Sequence, residues 1–75
     1  MPGARLPPFA LKLRALRHAR RLTQKRLAEL AGLSVARVAI IEQGQWPKRN
    51  YLDTLRKLAS ALGVQLAELD EDLAG

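Results

Sequence analysis

Two short apolar-striped segments start eleven positions apart with a glycine between them, and this spacing constrains the chain more than any other feature of its sequence. Thr23 opens the first segment and Ser34 the second. Both are residue types whose side-chain oxygen caps the exposed amides at a helix start. After Thr23, the residues Leu27, Leu30 and Ala31 recur at i, i+3 and i+4, the stripe of an amphipathic helix. Gly32 suits the end of that helix because glycine takes the left-handed conformation without a Cβ penalty, and Leu33 supplies the apolar contact that accompanies such an end. After Ser34, Val38 and Ile41 share one stripe, and Gly44 stops the helix.

The rest of the chain reads as helix as well. Pro2, Gly3, Pro7 and Pro8 are poor helix-interior residues, so 1–8 is expected to be a flexible N-terminal arm, with Arg5 its only charge. An amphipathic pattern starts at Phe9, continues through Leu13 and Leu16, and is expected to end near Arg20. Pro47 breaks the chain within a basic loop, 45–50, that follows the second capped helix. Tyr51 to Leu62 carries Leu55, Leu58, Ala59 and Leu62 on one face, and Gly63 ends it. A last short helix is expected from Leu66 to about Leu73, with Leu66, Leu69 and Leu73 turned inward. The expected fold is all-α: a compact bundle of five short helices over 9–73, with no strand candidate and a core supplied by fifteen leucines.

Within that bundle, 23–43 has the sequence form of a helix-turn-helix, two short helices joined by a tight turn, the second of which enters the DNA major groove. Charge agrees. The net charge is +6, and the basic residues are unevenly placed: all 13 Lys and Arg lie in 1–57 against Glu29, Glu42 and Asp53, whereas 58–75 holds four acids and no base. A basic body of this kind is the electrostatic footprint of a nucleic-acid binder.

Other function classes find little support. The chain has no cysteine and one histidine, His18, which excludes thiolate and histidine-rich metal sites and leaves His18 as a structural or surface residue. The acidic end, Glu68–Asp72, lacks the ligand spacing of a calcium loop. No catalytic set and no glycine-rich phosphate loop appears, so no enzyme and no cofactor is expected. No apolar run reaches the roughly 18 residues that a membrane span needs, and 1–8 has no signal-peptide core, so the chain is read as soluble and cytoplasmic.

The pieces LRALR at 13–17, LTQKRLAELAGLS at 22–34, IEQG at 41–44 and LRKLASALGV at 55–64 resemble, in their order and spacing, the Cro and phage-repressor type of helix-turn-helix domain, also called the xenobiotic-response-element family. The resemblance covers roughly 10–70 and implies a lambda-repressor-like fold. It also implies roles for particular positions. Gln24 contacts a phosphate and braces the recognition helix. Arg17 and Glu42 match a pair that forms a salt bridge between the first and third helices, and Arg17 is also a candidate for the DNA backbone.

The recognition helix is expected over 34–43. At 100° per residue Ala36, Ala39, Ile40 and Gln43 point outward, and Ser34, Val35 and Arg37 lie at the N-terminal end, where base contacts concentrate. The family commonly carries Gln, Asn, Ser, Arg or Lys on this face; here it is mostly apolar. Two explanations stay open: contacts to thymine methyl groups, with Arg37 or Gln43 adding hydrogen bonds, or contacts to a protein. Phosphate candidates are Thr23, Lys25, Lys48, Arg49, Asn50 and Tyr51, with Arg20, Arg21 and Arg26 as further candidates. Trp46 reads as a packing cap on the loop or as a backbone or dimer contact. Leu62, Val64, Leu66, Leu69 and Leu73 are candidates for a homodimer surface, the alternative being that they complete the monomer core.

These features point to a transcriptional regulator, a repressor by family inference, binding double-stranded DNA at an inverted-repeat operator as a homodimer. An antitoxin subunit that binds a toxin protein, a restriction-modification controller protein and a protein-interaction module are the alternatives that the same fold serves.

Overall fold

The computed structural model describes residues 6–45 and 51–69. Five helices follow one another: α1 (Pro8–Ala19), α2 (Gln24–Ala31), α3 (Val35–Glu42), α4 (Tyr51–Leu62) and α5 (Leu66–Leu69). No strand occurs among the described residues. The chain is all-α. α2 packs on α3 and α4, α1 packs on α3 and α5, and α4 packs on α5.

α1 starts at Pro8, one residue earlier than the apolar pattern indicates. The physical reason is that proline is tolerated in the first turn of a helix, where its missing N–H has no carbonyl to bond and its fixed φ already suits the helix. Pro7 precedes it in extended conformation and its carbonyl accepts from the Ala10 amide at 3.0 Å. Thr23 and Ser34 cap α2 and α3: Thr23 Oγ1 accepts from the Arg26 amide at 3.0 Å, and Ser34 Oγ from the Arg37 amide at 3.1 Å.

The C-terminal ends share one device. The amide two residues past each of the first four helix ends, or close to it, bonds back five residues: Leu22 to Arg17, Leu33 to Ala28, Gln45 to Ile40 and Val64 to Ala59, at 2.9–3.2 Å. This pattern needs a left-handed residue just before it. Gly32 fills that place after α2 with φ 72°, but after α1 it is Arg21, with φ 56°. Leu22, Leu33 and Val64, the residues that follow, then fold onto the core as partly buried apolar side chains. Tight ends of this sort keep the connections short.

The core comprises Leu13, Leu27, Val38, Ile41, Leu55, Leu58, Leu62 and Leu69, with Ala28, Ala31 and Ala59 filling the close helix approaches. Two details differ from the sequence pattern. Leu30 is exposed, and the buried stripe of α2 is Leu27, Ala28 and Ala31. A stripe written i, i+3, i+4 fits either side of Leu27, and the small Ala28 lets the neighbouring helices close in there. On α1, Ala10 is fully buried whereas Phe9 and Leu16 are only partly so.

Candidate nucleic-acid interface

The site is best built from the charge at its centre. Glu42, the last residue of α3, is buried with 3% of its surface exposed. Its carboxylate receives three N–H donors from two other helices. Arg17 Nε of α1 donates to Oε2 at 2.6 Å, Arg17 Nη2 to Oε1 at 3.0 Å, and Gln24 Nε2 of α2 to Oε1 at 3.0 Å. The two parallel bonds from Arg17 give the planar, bidentate geometry in which an arginine is not interchangeable with a lysine. Arg17 Nη1 also donates to the Leu22 carbonyl at 2.9 Å, in the connection between α1 and α2, and Nη2 lies 3.2 Å from His18 Nε2. One carboxylate thus ties together α1, α2 and α3.

This network engages two side chains that were also expected at phosphates. The Arg17 side chain is 12% exposed, and four of its five N–H groups face partners within the protein. A phosphate contact from Arg17 has only the fifth to use. Gln24, half-buried at the start of α2, spends one amide N–H on Glu42 and keeps the rest of its amide for the surface. The resemblance has Gln24 bracing the recognition helix; the partner that the sequence left unnamed is Glu42. A glutamine directly after an N-cap is an ordinary helix-start residue, and only the packing angle of α2 on α3 brings it to the carboxylate.

Around this anchor the outward face of α3 is open. Ser34, Val35, Ala36, Arg37, Ile40 and Gln43 are exposed and Ala39 is half-buried. Val35 and Ile40 are 47% and 46% exposed, high for large apolar residues on a helix whose Val38 and Ile41 are fully buried. The starts of α2 and α3 supply anion-binding geometry. The amides of Gln24, Lys25, Val35 and Ala36 sit in first turns, where no helical carbonyl is available to them. Because Thr23 and Ser34 use their oxygens as acceptors for the caps, each hydroxyl proton can donate outward. Lys25, Arg20 and Arg21 are exposed nearby in sequence, whereas Arg26 is drawn into a surface pair with Glu29 at 3.2 Å. Tyr51 is half-buried at the head of α4. Lys48, Arg49 and Asn50 lie outside the described residues, as do Arg5, Trp46 and Leu73.

The end of α3 is held from a second side. Gly44 follows with φ 98°, and a Cβ placed on it would stand 2.7 Å from Pro7 Cδ. Leu6 and Pro7 therefore lie against the turn after α3 instead of belonging to a free arm. Of the residues considered for a dimer surface, Leu62 and Leu69 are buried in the core and offer nothing to a partner in this conformation, while Val64 and Leu66 keep part of their surface. These two line a shallow groove between α4 and α5, together with Arg56, Ser60 and Gln65.

Comparison with known proteins adds to this geometry. Residues 12–72 match the family model of the Cro/C1-type HTH DNA-binding domain. The chain is 41% identical over 66 residues to "Uncharacterized HTH-type transcriptional regulator RghRB" of Bacillus subtilis, covering 85% of this chain and 45% of that protein. It is 46% identical over 57 residues to "Putative antitoxin HigA2" of Mycobacterium tuberculosis, covering 76% of this chain and 55% of that protein. It thus spans about half the length of these two relatives. Among solved structures it is similar to the restriction-modification controller protein C.AhdI from Aeromonas hydrophila, with a TM-score of 0.75, 40% identity, and coverage of 83% of this chain and 91% of that one.

Proposed function

The chain belongs to the Cro/C1-type helix-turn-helix family of DNA-binding regulators, and we propose that it acts without enzymatic activity as a repressor that inserts α3 into the major groove of an inverted-repeat operator. The observation that carries this reading is the pairing of an immobilised α3 with an exposed outward face. Glu42 and Gly44 hold the C-terminal end of the helix against α1, α2 and Pro7, and among the described residues the outward side chains other than the half-buried Ala39 are exposed. In this reading Ser34, Val35, Ala36, Arg37, Ala39, Ile40 and Gln43 meet the bases. Thr23, Gln24, Lys25 and Tyr51, with Lys48, Arg49 and Asn50 of the basic loop, meet phosphates. The phosphate contacts set register and affinity, and the base contacts set sequence.

A single module of this size buries limited DNA surface, and a two-fold dimer on inverted half-sites is the usual remedy. We place the dimer surface at the accessible parts of Val64 and Leu66 and at Leu73. No described helix is long and apolar enough to cross a membrane; the proposed compartment is the cytoplasm, with the DNA.

The similarity to the antitoxin and to the controller protein supports two narrower versions of the same reading, regulation of a toxin operon or of a restriction-modification operon. They differ in whether a protein partner copurifies with the chain. The test of the main proposal is selection from random duplex DNA near physiological salt. Enrichment of an inverted repeat with half-sites about one helical turn apart supports the dimeric regulator. Binding that is weak, indifferent to sequence and strongly salt-sensitive counts against it.

A further inference from the structure

The outward face of α3 is poor in the groups that usually read base edges. Arg37 and Gln43 carry its long hydrogen-bonding side chains, and Ser34, whose Oγ accepts from the Arg37 amide, adds only its hydroxyl proton. The remainder is apolar and graded in size. Ala36 and Ala39 occupy the middle of the face and leave room for the helix axis to approach closely. Val35 and Ile40, 140° apart on the helix by 100° per residue, stand on either side of Ala36 and project branched side chains. Both are nearly half exposed, although β-branched residues on a helix gain little except by packing. Together they form an apolar surface on which a partner group can pack. The setting is cationic: Lys25 and Arg37 are exposed within the helix-turn-helix, Arg20 and Arg21 just before it in sequence, and the chain carries +6 overall. An apolar face on a cationic domain suits a polyanion with apolar groups on its inner surface. In the major groove one standard base offers such a group, the C5-methyl of thymine.

We propose that α3 reads its operator through C5-methyl groups, Val35 and Ile40 each packing on one, so that at those positions the discriminating feature is the methyl and not the hydrogen-bonding edge of the base. This rests on the DNA-binding reading above and names what that site recognises. It has a consequence for cytosine: 5-methylcytosine carries a methyl at the same ring position, so it replaces thymine in this contact where unmodified cytosine does not. Binding is then sensitive to cytosine C5 methylation at those positions.

The test uses the intact chain and the duplex recovered by selection, with single thymines replaced by deoxyuridine, which removes the methyl and leaves base pairing unchanged. Affinity is expected to fall about fourfold for each methyl facing Val35 or Ile40, the order set by burying one methyl group, and to stay unchanged at other thymines. Ile40→Ala should abolish the thymine–deoxyuridine difference at one position of each half-site, and Val35→Ala at another. Both residues are exposed, and a thermal melt by circular dichroism checks that the variants stay folded. Cytosine placed at the same positions should gain about fourfold on C5 methylation. Equal affinity for thymine and deoxyuridine at every position, with specific binding retained, overturns methyl readout, leaves the DNA-binding reading intact and assigns the apolar face to a protein partner. Failure to recover any preferred duplex overturns both.

Discussion

A carboxylate as buried as Glu42 is costly unless donors surround it, and three N–H groups from α1 and α2 do so. The net stability of such a pair is small, because desolvation offsets most of the attraction; its role is to fix where α3 stands relative to α1 and α2. Removing one partner is another matter. Arg17→Ala should lower unfolding free energy by about 3 kcal/mol in urea titrations, since it leaves the carboxylate buried and short of charge. Replacing both residues together, Arg17→Met with Glu42→Leu, should cost clearly less than the two single changes summed. Strict additivity would show that the two charges act independently. Arg21 makes the opposite prediction. It holds a left-handed conformation, φ 56°, that costs a non-glycine residue about 1 kcal/mol. Arg21→Gly should therefore stabilise the fold by up to that amount, and an unchanged or lower melting temperature would contradict the argument.

The helices themselves were legible from sequence because their ends are written in local chemistry. Thr23 and Ser34 cap α2 and α3, and Gly32 and Gly63 follow α2 and α4, so those boundaries fell within a residue of the sequence pattern. What local chemistry does not contain is the relation between elements. Leu30 and Ala28 exchange places between core and surface because the choice depends on how closely α2 approaches its neighbours. Arg21 was hidden because nothing marks an arginine as left-handed except the requirement of the turn around it. For the site, the outward residues of α3 follow from helical periodicity, but Gln24 on Glu42 and Pro7 on Gly44 arise from packing across elements. Those two contacts predict a difference between glycines. Gly32→Ala meets open space and suffers only its positive φ, whereas Gly44→Ala also drives a Cβ into the rigid Pro7 ring. Gly44→Ala should be the more destabilising of the two by denaturant titration; equal losses would mean that residues 6 and 7 do not hold the turn.

On the scale of the molecule, the charge distribution and the α3 face make separate contributions. The basic body gives affinity that falls with salt, with a slope set by the number of phosphates neutralised. Lys25→Ala should weaken binding to every duplex alike and reduce that slope by about one unit; a loss confined to one operator position would move Lys25 to the base-reading set. The face of α3 gives the part that depends on sequence. The measurement that separates the two most directly is the affinity ratio between the selected duplex and a scrambled duplex of equal length and composition, followed by fluorescence anisotropy across a range of salt. If α3 reads bases, the ratio is on the order of a thousandfold or more near physiological salt. A ratio close to one, with both affinities falling in parallel as salt rises, would contradict that claim and leave only the binding that any basic surface has for DNA.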